Sequence, residues 1–187
     1  MLQAALRRVL GDQVNQAGSL VLPDRLRFDF TWPEALSAKQ IREVEDIVNA
    51  EIIKNTSVSI NEMPIDEAKN LGAMALFGEK YGDIVRVVSV GEFSKELCGG
   101  THVSNTGELG SFRIIGESGI GSGVRRIEAV TGWAAYEMMQ EDRKLINSAA
   151  DALKSNSTGI LERIEKLQAE LISLSLIHIS EPTRRSY

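Results

Sequence analysis

The spacing of apolar positions changes along the chain, and each change marks an element. Leu2, Leu6, Val9 and Leu10 recur at helical intervals, with Gly11 as the stop. Ser19-Leu20-Val21-Leu22 and Leu26-Arg27-Phe28-Asp29-Phe30 flank Pro23-Asp24, which predicts two strands about a turn, the second cleanly alternating. Ser37 is an N-cap for a helix carrying Ile41, Val44, Ile47 and Val48. Val58-Ser59-Ile60 reads as a short strand, and Ile65 to Leu71 as a short helix ending at Gly72. Asp83 to Val90 is the strongest strand, with an apolar run suited to a buried position. Phe112 to Ile115 and Val124 to Val130 predict two more strands.

From Trp133 the period becomes helical, over 133–153 and 158–172, with a break at Ser155-Asn156-Ser157-Thr158-Gly159. Ile160, Leu161, Ile164, Leu167 and Leu171 fall near a heptad spacing, over too few heptads to define a coiled coil. Trp32, Trp133 and Met138-Met139 read as packing residues rather than stacking platforms. The whole is an α+β pattern: a mixed or antiparallel sheet with packed helices over 1–132, then a helical segment over 133–173. Residues 174–187 are set apart. Leu174 to Arg184 reads as the conceptual translation of a transposase adapter used in sequencing libraries, and its His178 is left out of the site reasoning.

Composition narrows the class. The chain is 43% hydrophobic and 25% charged, ordinary for a globular protein. The net charge of -5 argues against holding nucleic acid through bulk electrostatics and leaves room for a local basic patch. One cysteine, Cys98, excludes an internal disulfide framework and fits a reducing compartment. No apolar run approaches the roughly 20 residues that span a membrane, so a cytoplasmic location without membrane contact is expected.

Cys98-Gly99-Gly100-Thr101-His102 carries the candidate chemistry. A thiolate and an imidazole four residues apart reach one metal if the backbone turns tightly, and Gly99 and Gly100 permit such a turn. Zinc accepts both donors but wants three or four. On these residues alone, a buried cysteine beside a hydrogen-bonded loop histidine is the commoner arrangement. Gly119-Ile120-Gly121-Ser122-Gly123 is not a dinucleotide fingerprint, because Val124 holds the last glycine position and a strand follows; a glycine hairpin fits better. Arg125 and Arg126, adjacent on a strand, point to opposite faces. Either reaches a pocket or a phosphate, or pairs with a carboxylate such as Glu128.

Leu97-Cys98-Gly99-Gly100-Thr101-His102 follows Gly91-Glu92-Phe93-Ser94-Lys95-Glu96 and the upstream Gly72 to Gly82; Ser104-Asn105-Thr106-Gly107 and Gly123 to Gly132 lie downstream. Together, in order and at these spacings, the motifs resemble the editing domain of alanyl-tRNA synthetases, from Leu2 to about Leu171. The resemblance implies a zinc held by a His-x-x-x-His pair and a Cys-x-x-x-His pair. The second pair falls on Cys98 and His102. The first would stand just ahead of Leu2, so the frame is expected to open at an internal methionine and leave half a site.

The resemblance further implies hydrolysis of seryl- or glycyl-tRNA(Ala), small amino acids that an alanine pocket rejects poorly. Gln16 and Ser19 would bind substrate, together with Gly99, Gly100, Thr101 and Arg125; Gln16, Cys98 and Arg125 would serve catalysis. The tRNA(Ala) acceptor end and the remainder of the synthetase are the implied partners, with oligomerisation through the C-terminal helix. A freestanding deacylase acting in trans shares the domain, but the helices after Trp133 resemble the synthetase's own link to its C-terminal region. Threonyl-tRNA synthetases carry a related domain with a poorer match around Cys98. A non-catalytic tRNA-binding module is the alternative from another class.

Overall fold

A computed structural model describes residues 1–75 and 81–180, with side chains to residue 175. The middle of the glycine-flanked motif, Leu76–Lys80, and the last seven residues lie outside the described residues. The chain divides into two compact units, Met1–Tyr136 and the residues from Glu137 onward. Within the described residues, the first unit has two antiparallel sheets. The α+β expectation therefore holds, with two sheets in place of one.

The larger sheet has the order β1-β2-β7-β6, built from β1 (Gln16–Val21), β2 (Leu26–Thr31), β6 (Phe112–Gly121) and β7 (Val124–Thr131). Helices α1 (Leu2–Leu10) and α2 (Ala38–Ile53) contact each other, and their buried faces share one core with it. Leu6, Val14, Phe30, Val44 and Ile127 are fully or almost fully buried there. The α2 N-terminus forms a capping box: Ser37 Oγ accepts from Gln40 N–H, and Gln40 Oε1 accepts from Ser37 N–H.

The edge strand β6 is not left bare. Asn49 on α2 donates to the carbonyl of Phe112 (2.8 Å) and accepts from its N–H (2.8 Å), while Glu45 accepts from Ile114 N–H (2.7 Å). The start of this edge, at Phe112 and Ile114, thus spends backbone groups on one helix. β6 and β7 are joined by Ser122-Gly123, with Gly123 at φ 70, so the glycine run is a hairpin.

The smaller sheet has the order β3-β4-β5: β3 (Val58–Pro64), β4 (Ile84–Val90) and β5 (Ser94–Leu97). The central β4 buries Val85, Val87, Val88 and Val90. Helix α3 (Ile65–Asn70) closes a second, small core with Ala68 against Val85, Val87 and Leu97. β5 had no counterpart in the sequence pattern.

Helix α4 (Gly132–Ala152) begins in the first unit, and α5 (Ile160–Ser180) lies in the second. The backbone of α5 continues eight residues past the expected end at 172, into the adapter-like segment. Trp133 was expected to pack; instead it is 71% exposed, with its ring 5.1 Å from that of Tyr136. Trp32 does pack against the main core. No described helix is long and apolar enough to cross a membrane.

Candidate functional site

Gln16 and Ser19 are three residues apart, so on a regular strand they would face opposite ways. A β-bulge prevents this. The register slips between Gln16, which pairs with Phe30, and Gly18, which pairs with Asp29. The extra residue re-aims one side chain, and Gln16 Nε2 donates to Ser19 Oγ at 2.8 Å. Both residues line a cavity of about 480 Å³ together with Cys98, Gly99 and His102. Thr101 lines a second cavity, of about 650 Å³, which His102 also borders.

The loop that carries Cys98 is held by Arg86 on β4. Its Nη1 donates to the carbonyls of Cys98 (2.7 Å) and Gly100 (2.5 Å), and Cys98 N–H returns a bond to the Arg86 carbonyl (3.1 Å). The turn does not need glycine's left-handed region, since neither Gly99 nor Gly100 has a positive φ. A Cβ at Gly99 would meet nothing within 4 Å, and one at Gly100 would meet only Cys98 Sγ, at 3.6 Å. Gly99 keeps the cavity wall low rather than permitting the bend, and Gly100 lines neither cavity.

Arg125 lines neither cavity. Its guanidinium grips Glu117, a diagonal neighbour on β6 (2.6 Å from Nη2 to Oε2). Arg126, on the opposite face, makes a two-pronged pair with its cross-strand neighbour Asp29, at 2.7 and 2.8 Å. Neither uses Glu128 as its main partner. That pair also explains why Asp29 is buried between Phe28 and Phe30, where alternation predicted an exposed position.

The hydrogen bond from Arg126 holds the Asp29 carboxyl below the usual carboxylate range, against the opposing effect of burial. A depressed folded-state value contributes stability above the unfolded value, about 3.9, and the contribution disappears as pH falls through the folded value. Asp29→Asn is therefore expected to destabilise the fold at pH 7, and the gap from the parent should close below about pH 4. Urea unfolding at pH 7 and pH 3 measures this; a gap that stays constant would show that the ion pair is not responsible.

Among the polar cavity-lining residues that the sequence reading missed are Gln3, Arg27, Arg86 and Glu96. Gln3 lies on the buried face of α1 at 3% exposure, and its side-chain nitrogen has no hydrogen-bond partner among the described residues. Its signal was a polar residue beside Leu2 on an otherwise apolar face. Arg86 was legible as a lone charge inside the apolar run of β4. Burial pushes His102 below the ordinary imidazole value, Arg86 adds to that, and Glu96 partly offsets it. For Glu96, burial acts to raise the carboxyl, but the N-terminal ammonium, the Ser94 hydroxyl and His102 together leave it below its ordinary value.

A metal is the other thing this site was expected to hold. Among the described residues, no group of three or more His, Cys, Asp or Glu side chains is placed to bind one. Cys98 and His102 are donors of the right chemistry for zinc, but two do not complete a site.

Residues 85–128 match the family described as the threonyl and alanyl tRNA synthetase second additional domain. The chain is 57% identical over 171 residues to an alanine–tRNA ligase of Bacillus velezensis, covering 91% of this chain and 20% of that protein. It is 55% identical to one of Acetivibrio thermocellus (91% and 19%) and 54% identical to one of Listeria monocytogenes (91% and 20%). The chain thus spans about a fifth of the length of the curated relatives it matches. Across that span it belongs to the alanyl-tRNA synthetases, in the part that contains their second additional domain.

Proposed function

We propose that this chain is the editing part of an alanyl-tRNA synthetase and that it serves hydrolysis of tRNA(Ala) mischarged with serine or glycine. The observation that carries the proposal is the bulge at Gln16–Gly18, which brings Gln16 and Ser19 onto the cavity that Cys98 and His102 border. At about 480 Å³ the cavity has the size of a small-ligand site, enough for a short amino acid and part of the terminal ribose. Gln16 and Ser19 would hydrogen-bond the amino acid, and the low wall at Gly99 would admit the acceptor end. In the reaction, water adds its oxygen to the acyl carbon, the ester bond breaks, and a proton passes to the departing ribose oxygen. Arg125 takes no part in this cavity; Arg86 fills the place at its wall.

Cys98 and His102 would supply half of a zinc site. With the other donors missing among the described residues, no step is assigned to metal. The helices after residue 132 would continue towards the rest of a synthetase and its oligomerisation region.

The test is release of serine from seryl-tRNA(Ala) with zinc present, comparing this chain with a form that carries a His-x-x-x-His segment ahead of residue 1. The expected result is hydrolysis by the extended form and little by the chain itself. Equal activity in both would show that Cys98 and His102 need no further protein donors. Activity in neither, with tRNA still bound, would favour the non-catalytic binding module.

A further inference from the structure

One buried side chain at the candidate cavity keeps a donor unspent. Gln3, on α1, has 3% of its surface exposed and lines the cavity. Its side-chain nitrogen is buried without a hydrogen-bond partner among the described residues. A buried amide left unpaired costs stability, so a site that keeps one calls for a reason. Gln16, a second carboxamide in the lining, differs in already donating to Ser19.

The lining is graded. Gln3 shares it with Leu2, Val85 and Leu97, all buried, while Ser19 and Val21 are exposed. An aminoacyl ester is tethered to its tRNA through the ribose. The nucleotide therefore stays at the exposed part, and the amino-acid side chain is the end free to reach the buried part. A seryl ester brings a hydroxyl there, and an alanyl ester lacks it. A hydroxyl both donates and accepts, so it satisfies a carboxamide in either orientation of the amide.

We propose that Gln3 is a specificity-determining residue of this cavity, whose amide stays unpaired until the hydroxyl of a seryl group reaches it. This rests on the editing reading, and it says how such a site would spare the cognate alanyl ester. A methyl in the same place leaves the amide buried and unpaired, and a site built to bond a hydroxyl rejects the analogue without one far better than an apolar pocket separates two apolar groups. Glycyl esters gain nothing from Gln3, so hydrolysis of the two mischarged forms should separate when it is changed.

The experiment uses Gln3→Met, an apolar side chain of similar length that suits a helix. Removing an unpaired buried amide should raise the urea midpoint, both in the chain and in the form extended ahead of residue 1. In the extended form, Gln3→Met should slow seryl-tRNA(Ala) hydrolysis by about tenfold and leave glycyl-tRNA(Ala) within about twofold. The preference for seryl- over alanyl-tRNA(Ala) should fall by about the same tenfold. Binding of serinamide and alaninamide to the chain, followed by NMR, tests the recognition without hydrolysis. The parent should favour serinamide by about tenfold, and the variant should bind both alike. A lowered midpoint in either form would show that the amide is bonded within the protein and would overturn the proposal. So would equal losses on seryl and glycyl esters, or a parent that binds the two amides alike. A serinamide preference that Gln3→Met abolishes, with no hydrolysis by the extended parent, would keep the role of Gln3 and remove the editing reading. Hydrolysis with a seryl-to-glycyl ratio that Gln3→Met leaves unmoved would do the reverse.

Discussion

Arg86→Ala in the extended form, for which we propose hydrolysis of seryl-tRNA(Ala), should lower that rate by roughly 10- to 100-fold, because a small misplacement of reacting groups has effects of that order. Two hydrogen bonds from one guanidinium nitrogen fix the carbonyls of Cys98 and Gly100, at either side of Gly99. Without them Cys98 still has the backbone bond from its N–H to the Arg86 carbonyl, but the carbonyls of Cys98 and Gly100 lose this anchor. The two carbonyls must then find water, and the thiol and imidazole lose their common frame. Arg86 acts through the loop, so it is a positioning residue. Arg86→Lys should recover part of the rate, since an ammonium reaches one carbonyl but lacks the planar fork. A rate for Arg86→Ala within about twofold of the parent, in a folded protein, would show that β4–β5 pairing alone sets the loop.

Phe30→Ala should have the largest effect on stability. Phe30 is fully buried at the centre of the main core, with Leu6, Val14, Val44 and Ile127 also in that cluster, and its ring lies 6.3 Å from Phe28. Large-to-small changes at such aromatic sites cost about 3–5 kcal/mol, a transfer loss plus a cavity that packed neighbours fill poorly. That is a large share of the roughly 5–15 kcal/mol that holds a typical domain together. Val21→Ala, at 79% exposure on the same sheet, should stay within about 0.5 kcal/mol. Urea unfolding followed by circular dichroism compares them; a cost below about 1 kcal/mol for Phe30→Ala would mean that the core collapses around the gap.

What could be read from sequence follows the range of the interaction that makes each element. α1 and α2 were legible because their signals are local: helical spacing with Gly11 as the stop, and Ser37 as the cap. β5 was not. Ser94-Lys95-Glu96-Leu97 has no strand composition, and it becomes a strand by pairing with β4. Glu96 went unnoticed for the same reason. β6 was expected to stop at Ile115 but reaches Gly121 through poor strand formers, Gly116, Ser118 and Gly119, which β7 holds in register.

The site divides the same way. Cys98 and His102 were named from their spacing, and Gln16 and Ser19 from a resemblance; only the bulge at Gln16–Gly18, invisible in composition, explains how those last two share a face. Arg125 and Arg126 were correctly split between faces, but their partners depended on diagonal and cross-strand neighbours that one-dimensional reading lacks. Arg86, the one charge in a run of valines and isoleucine, was the better clue to an arginine at the cavity.

The occupation of β6 by Asn49 and Glu45 also bears on how molecules of this kind can associate. A sheet invites extension at whichever border still offers unspent amides. Here the Phe112 and Ile114 amides are spent on α2, which leaves β1 as the other border of that sheet. β1 carries a bulge, and a bulged border is a poor template for a straight incoming strand. The irregularity that brings Gln16 beside Ser19 therefore also makes the start of that border a poorer template, and a substitution that straightened β1 should alter the cavity and the sheet's exposed border together.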